Sequence, residues 1–248
     1  MTGEPGLRGR RVVVIGGTSG MGLGAARAAA LAEAQVIAVG RRPAAERPEI
    51  AAHGDGQVTH AVADLTDEAS LRAVFDPLDH LDHLVVTATP PAEPRAFLDE
   101  DLAGARRFVT GKLLGSWVCA RHAAAKLRPG GSITFLTGCA AIRPRAGLSI
   151  VTATFAAVEA LGQALALELG PIRVNTIRPG LVDSDMWSFL DPAARDRLRE
   201  ATRQSFPARR IGTIEDIGHA AVFLMTNPYV TGIVLEVSGG EPLVAPSL

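Results

Sequence analysis

Two hydrophobic patterns alternate along the chain. Short runs rich in valine and isoleucine are separated by longer Ala-rich stretches of helical character. This alternation predicts βαβ units, in which helices join parallel strands. The predicted strands are Arg11–Gly16, Gln35–Val39, Gln57–Ala63, His83–Thr87, Ser132–Thr137, Ile172–Ile177 and Ile233–Val237. The predicted helices are Met21–Ala34, Asp67–Phe75, Ala105–Leu127, Ser149–Leu169 and Thr213–Thr226, with a helical insertion over Asp185–Ile211.

These elements predict a single α/β domain. A length of 248 residues suits one large domain spanning 1–248, and 47% hydrophobic residues can fill its core. We expect a doubly wound, seven-stranded and mostly parallel sheet with helices on both faces. Ligands of such sheets bind at the carboxyl ends of the strands, so the residues that follow each strand are the candidates for function.

Composition excludes several classes of function. The formal net charge of -1 lacks the basic footprint of a nucleic-acid binder, and aromatic residues, at 4%, are too few for base stacking. The two cysteines, Cys119 and Cys139, do not make a disulfide framework, which favours a cytoplasmic location. The chain has no uninterrupted apolar run of about 18 residues, so we expect no transmembrane helix and no membrane partner.

A glycine-rich turn follows the first predicted strand. Glycines let the backbone of such a turn approach a pyrophosphate, and the next helix presents its N-terminal amides to the phosphates. Ordinary βα turns can also be rich in glycine, so this turn alone does not decide the function. The turn reads Gly16-Gly17-Thr18-Ser19-Gly20-Met21-Gly22.

With the motifs that follow it, this turn resembles the short-chain dehydrogenase/reductase family. The matching segments occur in family order over nearly the whole chain. They are Ala63-Asp64-Leu65-Thr66, Ile172-Arg173-Val174-Asn175, Arg178-Pro179-Gly180-Leu181-Val182-Asp183-Ser184, Arg210-Ile211-Gly212 and Thr231-Gly232, ending in Gly239-Gly240. The resemblance implies a Rossmann-type fold, a nicotinamide dinucleotide cofactor, a small-molecule substrate and a homotetramer or homodimer.

The resemblance also implies which residues bind the cofactor. Asp64 would meet the adenine, and Ser184 would meet the nicotinamide carboxamide or, as an alternative, cap a following helix. The implied cofactor-binding positions outside the second strand are Gly16, Thr18, Ser19, Gly20, Met21, Gly22, Asp64, Leu65, Ala88, Pro179, Gly180, Val182 and Ser184.

The end of the second predicted strand indicates which nucleotide is preferred. A carboxylate there would accept hydrogen bonds from the 2′-hydroxyl of NAD, whereas arginine accommodates the 2′-phosphate of NADP. This strand is followed by Gly40, Arg41 and Arg42, with no carboxylate. Either arginine can bind a phosphate through paired, charge-assisted hydrogen bonds. We therefore favour NADP(H) over NAD(H), the alternative being two solvated loop arginines.

The family's residues for redox chemistry are missing from this chain. The family uses an Asn-Ser-Tyr-Lys set, in which the tyrosine exchanges a proton with the substrate. The single tyrosine is Tyr229 and no lysine follows Lys126, so no shift of alignment restores the set. Flanking sequence places the four positions at Lys112, Gly138, Val151 and Phe155.

Other groups near these positions can act in their place. Lys112 is the leading candidate for a proton donor because burial would lower its pKa toward neutrality. A solvated or interface-paired lysine is the alternative. The hydroxyls of Thr137 and Thr154 can orient a carbonyl, although packing and capping are the commoner roles. Arg143 and Arg145 can bind a substrate carboxylate or remain solvated.

Three functions stay open at this point. An atypical oxidoreductase acting on a carbonyl or alcohol comes first, since loss of the tyrosine need not abolish hydride transfer. A non-redox enzyme (isomerase, cyclase or dehydratase) and a non-catalytic NADP(H)-binding protein are the alternatives. In the family, 185–211 would form a lid over the substrate. No metal site is expected, because the segment Asp79–His83 precedes a strand and should lie opposite the cofactor.

Overall fold

One parallel sheet forms the centre of the protein. The computed structural model describes residues 6–43, 58–184 and 191–244. Within this part of the chain the sheet has seven strands, and its central strands are buried on both faces. The strands are β1 (Arg11–Ile15), β2 (Gln35–Gly40), β3 (Val58–Val62), β4 (Leu81–Val86), β5 (Leu127–Leu136), β6 (Arg173–Pro179) and β7 (Val234–Val237).

The strands lie in the order β3-β2-β1-β4-β5-β6-β7, and every neighbouring pair is parallel. The chain therefore builds the sheet outward from β1 in one direction and then continues from β4 in the other. A crevice opens at this reversal, outside the carboxyl ends of β1 and β4, where doubly wound folds bind their ligands. The predicted Rossmann-type α/β fold is confirmed.

Helices cover both faces of the sheet. They are α1 (Gly20–Leu31), α2 (Glu68–Phe75), α3 (Leu102–Val109), α4 (Gly115–Ala124), α5 (Ser149–Glu168), α6 (Pro192–Ser205) and α7 (Ile214–Thr226). The predicted insertion contains α6, which Asp191 caps by accepting a hydrogen bond from the amide of Ala194 at 2.7 Å. Its apolar residues Met186, Trp187, Phe189 and Leu190 lie outside the described residues.

The predicted helix Ala105–Leu127 is wrong in outline. The structure begins with α3 three residues earlier, inserts a π-helical turn over Thr110–Leu114, and ends α4 at Ala124. β5 then starts at Leu127, which the sequence assigned to the helix. A π turn carries an extra residue, so it shifts the face on which the following side chains lie. Apolar residues alone did not reveal that shift.

Different helices pack on the two faces of the sheet. In β1, Val12 and Val14 belong to the core under α1 and α7, whereas Val13 and Ile15 face α2, α4 and α5. α1 and α7 cross at two glycines. A Cβ atom added to Gly218 would lie only 2.6 Å from the carbonyl oxygen of Gly24, so this close crossing depends on glycine.

By length and hydropathy alone, α5 could cross a membrane, although the sequence predicts no such segment. Core helices of globular proteins pass the same test, and one side of α5 packs on β5 and β6. At this contact a Cβ on Gly162 would lie 2.9 Å from Oγ1 of Thr176. The remaining surface of α5 includes Leu167, which is exposed.

The amino ends of the strands lie at the edge of the sheet opposite the crevice. Buried Asp82 accepts hydrogen bonds there from Nη1 of Arg10 at 3.0 Å and from the amide of Arg11 at 2.8 Å. His83 lies 2.9 Å from the hydroxyl of Ser132, and burial lowers the pKa of His83 to about 4. Among the described residues, no group of three His, Cys, Asp or Glu side chains is placed to hold a metal ion.

Candidate active site

The glycine-rich turn packs tightly against the end of β4. Gly16 has a φ of 88°, and a Cβ there would lie 2.6 Å from Oγ1 of Thr87 and 2.7 Å from the amide nitrogen of Ala88. Gly22 is equally constrained, because its Cβ would overlap the carbonyl oxygen of Gly16. The carbonyl oxygen of Ile15 accepts hydrogen bonds from the Thr87 hydroxyl and from the amides of both Thr87 and Ala88.

The N-terminus of α1 is open where the turn ends. Ser19 is the N-cap residue in extended conformation, but its hydroxyl makes no capping hydrogen bond, and the first turn has no acidic residue. Among the described residues, a Cβ on Gly20 would meet only the Cβ of Ser184, at 3.7 Å, so these residues leave the space beside Gly20 open. Met21 packs against the core and anchors the helix. The free amides and the open space suit a phosphate group.

Two unpaired arginines follow β2 at the side of this turn. The carboxyl end of β2 touches the turn directly, since a Cβ on Gly40 would overlap the side chain of Thr18. Arg41 and Arg42 come next and are exposed. In the described part of the chain neither guanidinium takes part in a hydrogen bond or an ion pair. Both therefore remain available to an anion.

Asp64 lies in the loop after β3. Its carboxylate accepts hydrogen bonds from the hydroxyl and the amide of Thr66, at 2.7 and 2.8 Å, and these bonds lower the pKa of Asp64. The positive charge of Arg41 lowers that pKa further, which places Arg41 near this loop. The carbonyl oxygen of the next residue, Leu65, packs on Gly115 at the start of α4.

The segment after β6 forms the other side of the crevice. The amide of Gly180 donates to Val237 at 3.0 Å, and a Cβ on Gly180 would lie 2.7 Å from the carbonyl oxygen of Ser238. Val182 is buried and forms an isolated bridge with Gly212. The segment from Pro179 ends at Ser184, whose Cβ lies 3.7 Å from the Cβ position of Gly20. The structure thus brings the glycine turn, the end of β4 and residues 179–184 together at the carboxyl ends of the strands.

Lys112 lies in the π-helical turn and is completely buried. Its Nζ atom donates a hydrogen bond to the carbonyl oxygen of Ala88 at 3.1 Å and lies 5.9 Å from the centre of the Phe155 ring. Loss of hydration lowers the pKa of Lys112 to about 7. The nearby thiol of Cys119 acts in the opposite direction and raises that pKa, but by less. A carbonyl dipole and a ring face stabilise an ammonium less than a carboxylate would.

Comparison with known proteins decides the family. Residues 16–241 match the family model described as enoyl-(acyl carrier protein) reductase. The chain is a short-chain dehydrogenase/reductase. One relative, the short-chain dehydrogenase/reductase malC of Malbranchea aurantiaca, is 30% identical over 257 residues, which cover 94% of this chain and 95% of the relative.

Solved structures of this family superpose over almost the whole chain. The reductase/Diels-Alderase MalC from Malbranchea aurantiaca gives a TM-score of 0.89 at 28% identity, covering 96% of this chain and 98% of that one. A small-chain dehydrogenase in complex with NADPH gives a TM-score of 0.79 at 31% identity, covering 95% and 99%.

In this short-chain dehydrogenase/reductase, Phe155 fills the centre of the region assigned to redox chemistry. Its ring lies 3.0 Å from where a Cβ on Gly138 would be, and it packs on Phe108 with ring centres 6.1 Å apart. A larger residue at position 138 would collide with the ring. The small residue after β5 and the aromatic residue on α5 are therefore matched in size. Val151, one turn earlier on α5, is buried.

The two threonines proposed to orient a substrate direct their hydroxyls into the protein. Oγ1 of Thr137 donates to Oε1 of Glu159 at 2.9 Å, and Oγ1 of Thr154 donates to the carbonyl oxygen of Ile150 at 2.7 Å. Both side chains are buried. Their donor protons are therefore used in internal hydrogen bonds, as in the packing alternative.

Sequence reasoning missed the acidic partners around this region. Glu159 accepts two hydrogen bonds from Arg178, at 2.9 and 2.6 Å. Buried Glu241 binds the guanidinium of Arg145 through its carboxylate and that of Arg143 through its carbonyl oxygen. These arginines, proposed for a substrate carboxylate, thus join the loop after β5 to the last 3-10 turn. Contacts between residues almost a hundred positions apart left no signal in the sequence.

A groove opens beside the loop after β5. Its walls come from two loops, and most of the lining is apolar, with hydroxyls contributed by the start of α5. Arg145 forms one edge of the groove. The other lining residues include Phe97, Pro144, Ala146, Ser149 and Thr152. The groove is wide enough for a small organic molecule, and it shares α5 with Phe155.

Proposed function

We propose that the protein is an NADP(H)-dependent oxidoreductase acting on a carbonyl or alcohol without the family's tyrosine-lysine pair. The observation that carries this proposal is the open phosphate cradle between Gly20, Ser184 and the uncapped N-terminus of α1, next to the unpaired Arg41 and Arg42. The NADPH complex of a structural relative supports the choice of nucleotide. When bound, the cofactor supplies or accepts a hydride.

The chain's own residues would divide the work along the crevice. The first amides of α1 would bind the pyrophosphate, and Arg41 or Arg42 would bind the 2′-phosphate. Pro179, Gly180, Val182 and Ser184 would line the nicotinamide end. The aromatic ring of Phe155 and the groove residues would exclude water from the reacting atoms. Lys112, Thr137 and Thr154 stay the candidate catalytic residues. We place Lys112 first because an ammonium carries three N–H bonds, of which one is donated to the carbonyl oxygen of Ala88.

The test is a fluorescence titration of the protein with NADPH and with NADH. We expect NADPH to bind more tightly than NADH. Arg41→Ala should weaken the binding of NADPH and leave the binding of NADH unchanged. Loss of a charged hydrogen bond of about 1.5–3 kcal/mol corresponds to roughly a tenfold to hundredfold rise in Kd. Arg106→Ala is the matched control, since Arg106 is exposed on α3. Equal affinities for both nucleotides, or an unchanged NADPH Kd in Arg41→Ala, would refute the nucleotide preference.

A non-redox reaction is the second candidate. It is favoured by one relative whose structure is described as a reductase/Diels-Alderase, a name that joins hydride transfer to a cyclisation. In a screen of unsaturated carbonyl compounds, an oxidoreductase consumes NADPH in step with substrate. A cyclase converts substrate while the NADPH absorbance stays constant. A protein that binds NADPH and converts nothing would be a binding module.

We also propose that the protein forms a homodimer or homotetramer in the cytoplasm. Support comes from large apolar side chains that the isolated chain leaves exposed on neighbouring helices, namely Leu114, Trp117 and Leu167. Light scattering should give at least twice the chain mass of 25.9 kDa. A monomer mass would refute the assembly.

A further inference from the structure

The surroundings of Lys112 are dry and contain no counter-charge. The groups packed against Nζ are the carbonyl of Ala88 and the ring of Phe155, and Cys119 of α4 is the titratable group that acts on it. Burial raises the pKa of Cys119 to about 12, so this thiol is uncharged near neutral pH. On α5, Glu159 is already paired with Arg178 of β6. In the described part of the chain, a proton on Lys112 therefore has no anion beside it.

Lys112 is also next to the nucleotide crevice. Ala88 contacts both, because its carbonyl oxygen binds Nζ of Lys112 while its amide nitrogen lies 2.7 Å from the Cβ position of Gly16. On the other side, the ring of Phe155 reaches from Lys112 to the Cβ position of Gly138. The carbonyl oxygen of Pro179, a residue proposed for the nicotinamide end, lies 4.0 Å from that same Cβ position, so the nicotinamide ring would bind within a few residues of Lys112. A change of charge on that ring therefore acts on Lys112 through few atoms of low polarity.

We propose that Lys112 gains and loses its proton in step with the redox state of the bound nucleotide, an inference that rests on the proposed function. The oxidised nicotinamide ring is positively charged and the reduced ring is neutral. A second positive charge in a dry site disfavours the ammonium, so the amine is neutral beside the oxidised form and protonated beside the reduced form.

This linkage supplies the proton that carbonyl reduction needs. The bound cofactor would supply the hydride for the carbonyl carbon, and the carbonyl oxygen would gain an O–H bond in exchange for an N–H bond of Lys112. The products would be the alcohol, the oxidised nucleotide and a neutral amine, which regains a proton from solvent only after the oxidised nucleotide has left. The two electrons come from the hydride, and Lys112 itself is neither oxidised nor reduced.

The test is the ratio of the Kd for NADP⁺ to the Kd for NADPH, measured from about pH 6 to about pH 9. Both forms carry the same phosphates, so phosphate titration cancels in the ratio. In the wild type the ratio should fall as pH rises through neutrality, by up to about tenfold per pH unit for one linked proton. Calorimetry in two buffers of different ionisation enthalpy should show proton release when NADP⁺ binds below pH 8.

Variants separate this proposal from a merely structural role. In Lys112→Met the ratio should be independent of pH, and in Lys112→Arg, which stays charged, NADP⁺ should bind weakly throughout. The matched control is Lys126→Met, which removes the other lysine of the chain and should keep the wild-type profile. A flat wild-type ratio, or a pH-dependent ratio in Lys112→Met, overturns the inference while leaving NADP(H) binding intact. Failure of both nucleotides to bind at any pH overturns the proposed function as well.

Discussion

Removal of the buried amine should make the protein more stable. Lys112→Met keeps the length and much of the volume of the side chain, so the site should repack with little strain. What disappears is a group that is protonated when the chain unfolds and that loses its hydration in the folded protein. The change is therefore expected to raise the free energy of unfolding, the reverse of most core substitutions.

The size of this gain follows from the two pKa values. The pKa of Lys112 is 10.5 in the unfolded chain and about 7 in the folded protein. Because the unfolded state holds the proton more tightly, the destabilisation is complete below about pH 7, fades as pH rises, and vanishes above about pH 10.5. At about 1.4 kcal/mol per pKa unit, Lys112→Met should be more stable by several kcal/mol at about pH 7.5 and by only about 1 kcal/mol at about pH 9.5.

Urea denaturation of both proteins at these two pH values measures the difference. All other titrating groups are shared, so they cancel when the two unfolding curves are subtracted. Lys126→Met should show no such dependence on pH, because it is the lysine outside the dry site. Equal stability of Lys112→Met and wild type at both pH values would mean that Lys112 is hydrated in solution, and the reasoning about its proton would fail with it.

Three further changes test the packing. Gly218→Ala should destabilise the protein by about 1–3 kcal/mol in thermal unfolding, because the new Cβ would overlap α1. The control is Gly6→Ala, whose new Cβ would meet no described atom within 4 Å. Equal losses of stability in the two variants would contradict the close helix crossing. Glu159→Gln removes the closer of the two carboxylates that pair with half-buried Arg178, the other being Glu236 at 3.5 Å, and should cost about 1–3 kcal/mol in urea denaturation, against almost nothing for exposed Glu200→Gln. Stability should fall as pH drops from about 6.5 to about 4, because His83 is protonated in the unfolded chain over this range while the buried imidazole stays neutral; His83→Asn should remove part of that slope, and an unchanged slope would refute it.

Much of the fold was predictable because hydrophobic spacing reports burial. The runs Val12–Ile15 and Val36–Val39 are apolar at every position, which is typical of strands buried on both faces, and the structure pairs them in parallel. The glycine turn was predictable for a different reason. A positive φ and close contact with β4 at Gly16 exclude other residues, so the requirement is visible in the sequence.

The site was predicted less completely. The sequence predicted that Lys112 lies near the crevice. Whether that lysine is solvated or buried depends on the π turn that contains it and on the ring of Phe155 from another helix. The sequence left two roles open for the arginines at 143 and 145. They bind Glu241, which folding brings to them from the far end of the chain.

Local rules of backbone geometry and burial act within a few residues, and they were enough to predict the order of the elements, the parallel sheet and the glycine turn. The protonation state of Lys112 and the partners of buried Glu159 depend on groups contributed by distant segments. The electrostatic energy of such a group depends on its hydration and on every charge around it. Those quantities exist only once the helices and strands have packed, so only the tertiary structure decided them.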